Sequence, residues 1–170
     1  AAKQLRKALF KEGAASAIRS DVLIHAVANE DAEDLMVEAV SPTDKMLGGA
    51  DALLIRKLRQ IIVRNDISSE EQAFLIAHEF GHWKLHPEDH DSCHKVIDSN
   101  LKPADGDTLG ALKVEAYGAR ERAELQANIF ARELLLPREV ARNLFLAGKT
   151  AKQIRAELDL PLELVRQQLL

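Results

Sequence analysis

Cysteine is almost missing: the 170-residue chain has one, Cys93. A single thiol can neither close an internal disulfide nor build a cysteine-rich zinc knuckle, so the expected setting is reducing, with the cytoplasm as the expected location. Any bound metal must then be held by histidine and carboxylate. Long apolar runs are missing too. No stretch approaches the ~20 residues of a spanning helix, so no membrane partner is expected. The opening AAKQLRKALF has neither a secretory apolar core nor an initiator methionine, as expected of a sequence trimmed from, or belonging to, a longer chain. Blocks of one charge are also absent. Lys and Arg total 23 against 27 Asp and Glu, for a net charge of -4 with the signs interspersed. That argues against a polybasic face for nucleic acid or lipid phosphate. The chain is 46% hydrophobic, which suits one compact domain with a small helical appendage.

Residues 2–12 repeat apolar side chains at helical spacing and stop at Gly13, and Ser20 is placed to cap a second helix through DVLIHAVANE. LMVEAV (35–40), DALLIR (51–56) and QIIVR (60–64) are short and aliphatic, and SPTDKMLGGA between the first two has loop chemistry. These predict a small mixed or antiparallel sheet. Ser68 with Glu71 fits a capping box and Pro87 blocks continuation, which predicts a helix over 69–86. Residues 87–114 are polar and show no sustained period, so they read as a long surface excursion. A helix is expected to resume near Glu115 and run to Leu135, with Ala123, Ala127, Phe130, Ala131 and Leu134 on one face. Pro137 starts another helix ending at Gly148, and Thr150 opens two short ones broken around Asp159 to Pro161. The expected division is 1–136 for the main domain and 137–170 for a helical C-terminal segment.

The decamer AHEFGHWKLH (77–86) carries the chemistry. His78 and His82 are four apart, so on a helix both imidazoles leave one face at a separation suited to one ion. Glu79 beside them can act as the base that takes a proton from an attacking water. Gly81 costs about 1 kcal/mol relative to alanine inside a helix and needs a reason, which a closely packed neighbouring segment would supply. Phe74, Ile76, Ala77 and Phe80 make this helix too apolar to lie free on the surface.

A catalytic zinc site needs a third protein ligand and an open position. A metzincin would place Gly at 85 and His at 88, but the residues are Leu85 and Glu88. His86 lies about 12 Å along the helix axis from His78, too far to share its ion. His90 and His94, with Cys93, read as solvated side chains of the excursion. Carboxylates on the next long helix remain, with Glu121 and Glu124 both available.

The run AELQANIFARELLLP (123–137), following IIVRNDISSEEQAFLIAHEFGHWKLH (61–86), resembles the ImmA/IrrE family of bacterial and phage metallopeptidases. In that family a Glu-x-x-Ala-Asn-x-Phe-Ala-x-x-Leu-Leu-x-Pro segment follows the HExxH helix. Glu124, Ala127, Asn128, Phe130, Ala131, Leu134, Leu135 and Pro137 match it, and the resemblance covers roughly 51–137. It implies an α+β, gluzincin-like fold, a small twisted sheet packed on helices, with His78, His82 and Glu124 as metal ligands and Glu79 as catalytic base. The implied ion is Zn²⁺, although two His and one Glu also accept Mn²⁺. Asn128 lies four residues after Glu124, on the same face, where its amide can orient a ligand. Tyr117, the only tyrosine, is a candidate for stabilising a developing oxyanion, with packing as the simpler role.

The resemblance further implies a protein substrate, namely a helix-turn-helix transcriptional repressor. Two other readings use the same residues. One is a zinc-stabilised regulatory module without peptidase activity. The other is a DNA-binding module, because AKQIRAELD and PLELVRQQL resemble a degenerate helix-turn-helix. From Pro137 onward six Arg and Lys face four Asp and Glu, a balance of +2. That is weak support for DNA binding.

Overall fold

The three aliphatic runs become strands. In the computed structural model, which describes residues 1–10, 17–30, 35–86, 92–94 and 119–170, β1 is Met36–Val40, β2 Ala52–Ile55, β3 Gln60–Arg64 and β4 Ser92–His94. The sheet order is β1-β3-β2-β4. β3 pairs parallel with β1 (Val37 opposite Ile61) and antiparallel with β2 (Leu53 opposite Ile62), so the sheet is mixed. Ile61, Ile62 and Val63 are buried in succession, the pattern of a central strand covered on both faces. In the loop between β1 and β2, Gly48 and Gly49 hold φ of +56° and +82°, which side chains rarely tolerate.

β4 falls inside the stretch expected to be an irregular excursion. Three residues with no apolar period show no local strand signal, and Ser92–His94 becomes a strand by pairing with the edge of β2, Cys93 opposite Leu53. The rest of 87–118, including His90 and Tyr117, lies outside the described residues.

Seven α-helices occur among the described residues: α1 Ala2–Phe10, α2 Ser20–Glu30, α3 Ser69–Leu85, α4 Ala119–Leu135, α5 Arg138–Leu146, α6 Ala151–Leu158 and α7 Leu162–Leu169. The start of α3 is fixed by the expected capping box. The Glu71 amide donates to the Ser68 hydroxyl oxygen (3.3 Å), and the Ser68 amide donates to the Glu71 carboxylate (3.1 Å). Ile76 through His82 are all buried, so this helix has no solvent face along its middle turns. One hydrophobic cluster takes Leu54 and Ile61 from the sheet, Phe80 from α3, and Leu134 from α4. Ile154, Leu158, Leu160, Leu164 and Val165 of the last two helices and their turn join the same cluster.

The turn between α6 and α7 ties that segment to the start of α3. Asp159 sits at φ +53° and ends α6. Its carbonyl accepts from the Ser20 hydroxyl (2.8 Å) and its carboxylate from the Ser69 hydroxyl (2.8 Å). Ser20, read from the sequence as a cap, is thus the first residue of α2 with its hydroxyl directed to a distant turn. Among the described residues, no helix is long and apolar enough to cross a membrane.

Candidate metal centre

α3 and α4 cross where two small residues meet. A Cβ added at Gly81 would stand 2.9 Å from the Ala127 Cα and 3.2 Å from its Cβ and carbonyl oxygen. Gly81 therefore permits a backbone approach that any side chain would block. One residue from Ala127 on α4 is Asn128, and three residues before it is Glu124. On α3, His78 and His82 flank Gly81. The crossing faces each pair toward the other.

The result is a compact donor set. One ligating-type atom from each of His78, His82 and Glu124 lies within 4.8 Å of the other two. The two Nε2 atoms face each other at 3.1 Å, and a Glu124 oxygen stands 3.4 Å from the first and 3.6 Å from the second. His78 and His82 are buried and Glu124 nearly so. Glu79, between the histidines in sequence, is fully buried on the same helix.

The protonation pattern follows from Asn128. Its Oδ1 is only an acceptor, so at 2.9 Å from His78 Nδ1 it receives that nitrogen's proton. His78 Nε2 is then left with a lone pair aimed at His82 and Glu124. Burial pushes the His78 pKa below the usual histidine value, against the opposing pull of Glu124, so the neutral imidazole is favoured. The His78 Nε2 lone pair and the Glu124 carboxylate converge on His82 Nε2, so the three groups offer two nitrogens and one oxygen to a divalent cation once His82 presents its own Nε2 lone pair. The donor set fits such an ion by this test.

The competing residues stand elsewhere. Glu121 is exposed and outside the cluster. His86 caps the end of α3, its ring 5.4 Å from that of His82, and is not among the clustered donors. His94 belongs to β4, and His90 and Tyr117 lie outside the described residues.

Sequence reasoning missed the side chains that hold the two helices. Arg56, just past β2, donates from Nη2 to the carbonyls of His82 and His86, each at 2.7 Å. Arg6 on α1 is buried and donates to the Leu134 carbonyl in the last turn of α4 (2.6 Å), its pKa lowered to about 10 by burial. Arg132 donates to the Asn128 carbonyl (3.2 Å) and to Gln167 on α7 (2.8 Å). The His82, His86 and Leu134 carbonyls lie at helix C-termini, which carry orphan carbonyls and a partial negative charge that favour cationic donors, whereas the Asn128 carbonyl lies inside α4. No local pattern announces such partners, since Arg6 and Leu134 are 128 residues apart.

No curated protein matches the sequence significantly. A family model does, and its match reaches beyond the two motifs on both sides to take in β1 and the C-terminal helices. With the HExxH helix and the glutamate-bearing helix crossing as described, the chain belongs to the Peptidase_M78 family, the IrrE N-terminal-like domain, over residues 32–170.

Proposed function

We propose that this chain is a zinc-dependent endopeptidase in which His78, His82 and Glu124 hold the ion and Glu79 is the general base. Its substrate, on this reading, is a regulatory protein such as a helix-turn-helix repressor. The observation that carries the proposal is the convergence of two buried imidazole nitrogens and one carboxylate from two helices, with the buried Glu79 following His78 in the chain. Three protein ligands leave a coordination position open, whereas structural zinc sites are closed by four.

A divalent ion held there supplies Lewis acidity that polarises a peptide carbonyl. The chain's own groups supply the rest. Asn128 fixes the His78 tautomer and ring, so that Nε2 is the nitrogen turned toward His82 and Glu124. Glu79 accepts the proton of the attacking water and returns it to the departing amide nitrogen. Burial of Glu79 keeps bulk water away from that carboxylate and strengthens its electrostatics. The peptidase family supports a protein substrate, and the choice of a repressor rests on the resemblance of the two motifs. Two histidine donors and one carboxylate favour Zn²⁺, with Mn²⁺ the alternative occupant.

The test uses zinc-loaded protein, a helix-turn-helix repressor from the same genome and an unbiased peptide library. Wild type is expected to cut. Glu79→Gln is expected to keep its zinc and lose cleavage by roughly 10²- to 10⁴-fold, the usual contribution of a general base. Full activity in that variant overturns the role of Glu79. Zinc binding without cleavage of either probe by wild type leaves a zinc-stabilised binding module instead.

A further inference from the structure

The last turn of α3 carries His82, and helix ends fray unless something satisfies their carbonyls. Here the helix stops at Leu85, one residue before the His86 cap, whose amide donates to the His82 carbonyl (3.0 Å). That carbonyl has a second donor. Nη2 of Arg56 reaches both the His82 and the His86 oxygens at 2.7 Å, bridging the start and the end of the final turn. The guanidinium carbon also stands 5.6 Å from the ring centroid of Trp83, within cation–π range. One planar cation thus grips three consecutive features of the turn: the His82 backbone, the Trp83 face and the His86 backbone.

From this grip we infer that Arg56 is a positioning residue for the metal centre, acting through the backbone of His82. The inference rests on the proposed ligand set of His78, His82 and Glu124. The physical step is short. The His82 imidazole must keep its Nε2 3.1 Å from that of His78 and 3.6 Å from the Glu124 oxygen on α4. Pinning the His82 carbonyl fixes the peptide plane and Cα from which that ring projects. The bond is charge-assisted and lies at the negative end of the helix dipole, so it is stronger than an amide–carbonyl bond at the same distance. Lysine replaces it only in part. Its ammonium carries three N–H donors, but it is a compact charge on a flexible stem, without the rigid planar guanidinium that lies over the Trp83 ring while Nη2 meets both oxygens. Because Arg56 follows β2, the bridge also couples the sheet directly to the ligand-bearing turn.

The experiment is a zinc titration of full-length, metal-free protein against a chelating competitor, followed by the fluorescence of Trp83, the only tryptophan. Wild type, Arg56→Met, Arg56→Lys and Glu124→Gln are compared, with the unfolding midpoint of each metal-free protein measured alongside. Arg56→Met is expected to bind zinc roughly 10- to 100-fold more weakly, the range typical of partners that orient metal ligands, and Arg56→Lys to recover only part of the loss. The cobalt-loaded Arg56→Lys protein is expected to show a shifted absorption spectrum, which a purely structural role does not produce. Wild-type affinity and an unchanged cobalt spectrum in Arg56→Lys overturn the inference, whether or not Arg56→Met folds. Unweakened zinc binding by Glu124→Gln instead sinks the ligand set itself, so the two failures are distinct.

Discussion

Replacing Gly81 with alanine sets two opposed effects of known size against each other. Alanine gains about 1 kcal/mol of helix propensity over glycine in a helix interior. Its methyl, however, would arrive 2.9 Å from the Ala127 Cα, and ordinary contact begins at 3.4 Å, so about 0.5 Å must be found. The obstructing atom belongs to backbone, which cannot swing aside as the tip of a flexible side chain can. Helix α4 must therefore move as a unit, or α3 must bend. Overpacking of this kind costs typically ~1–3 kcal/mol, which exceeds the propensity gain across most of its range. Net destabilisation of ~0–2 kcal/mol is expected, a fall in the unfolding midpoint of up to roughly 8 °C for a chain of this size. The larger consequence is local. Glu124 and Asn128 ride on the displaced helix, so zinc affinity is expected to fall on the order of tenfold even where stability is nearly unchanged. Paired thermal-unfolding and zinc-competition measurements on Gly81→Ala decide the matter. A variant about 1 kcal/mol more stable than wild type, with wild-type zinc affinity, refutes the reasoning.

Two further substitutions probe the supports of the centre. Asn128→Ala removes the acceptor for His78 Nδ1, 2.9 Å away, and zinc affinity measured by competition is expected to drop about 10- to 100-fold with the fold retained. Ser68→Ala breaks the capping box at the start of α3, and denaturant unfolding is expected to show a loss of ~0.5–2 kcal/mol while zinc affinity holds, because the cap lies more than two turns from His78.

Much of the fold is legible because its signals are local. The aliphatic runs around LMVEAV, DALLIR and QIIVR, separated by a glycine-bearing loop, correspond to β1, β2 and β3. Ser68, Glu71 and Pro87 bracket α3, and Thr150, Asp159 and Pro161 punctuate α6 and α7. Strand direction is another matter. The parallel pairing of β1 with β3, which passes over β2 in the sequence although β2 pairs on the far side of β3, depends on long-range packing that no single run encodes. β4 is hidden for the same reason, being a strand only by virtue of its partner.

In the candidate site, helical spacing suffices to put His78 and His82 on one face. It does not choose between Glu121 and Glu124, which both lie on the following helix. The Gly81–Ala127 crossing makes that choice in space, and the glycine's unfavourable position inside a helix is the trace it leaves in the sequence. Arg56 and Arg6 leave no trace, since a charged residue that caps a distant helix looks like any other surface charge until the chain is folded.

The most direct measurement is anomalous diffraction at the zinc edge from crystals grown with one equivalent of zinc. A single strong peak is predicted between α3 and α4, about 2.0–2.2 Å from Nε2 of His78, Nε2 of His82 and a Glu124 oxygen. Zinc bound elsewhere, or a peak that Glu124 does not reach, contradicts the account.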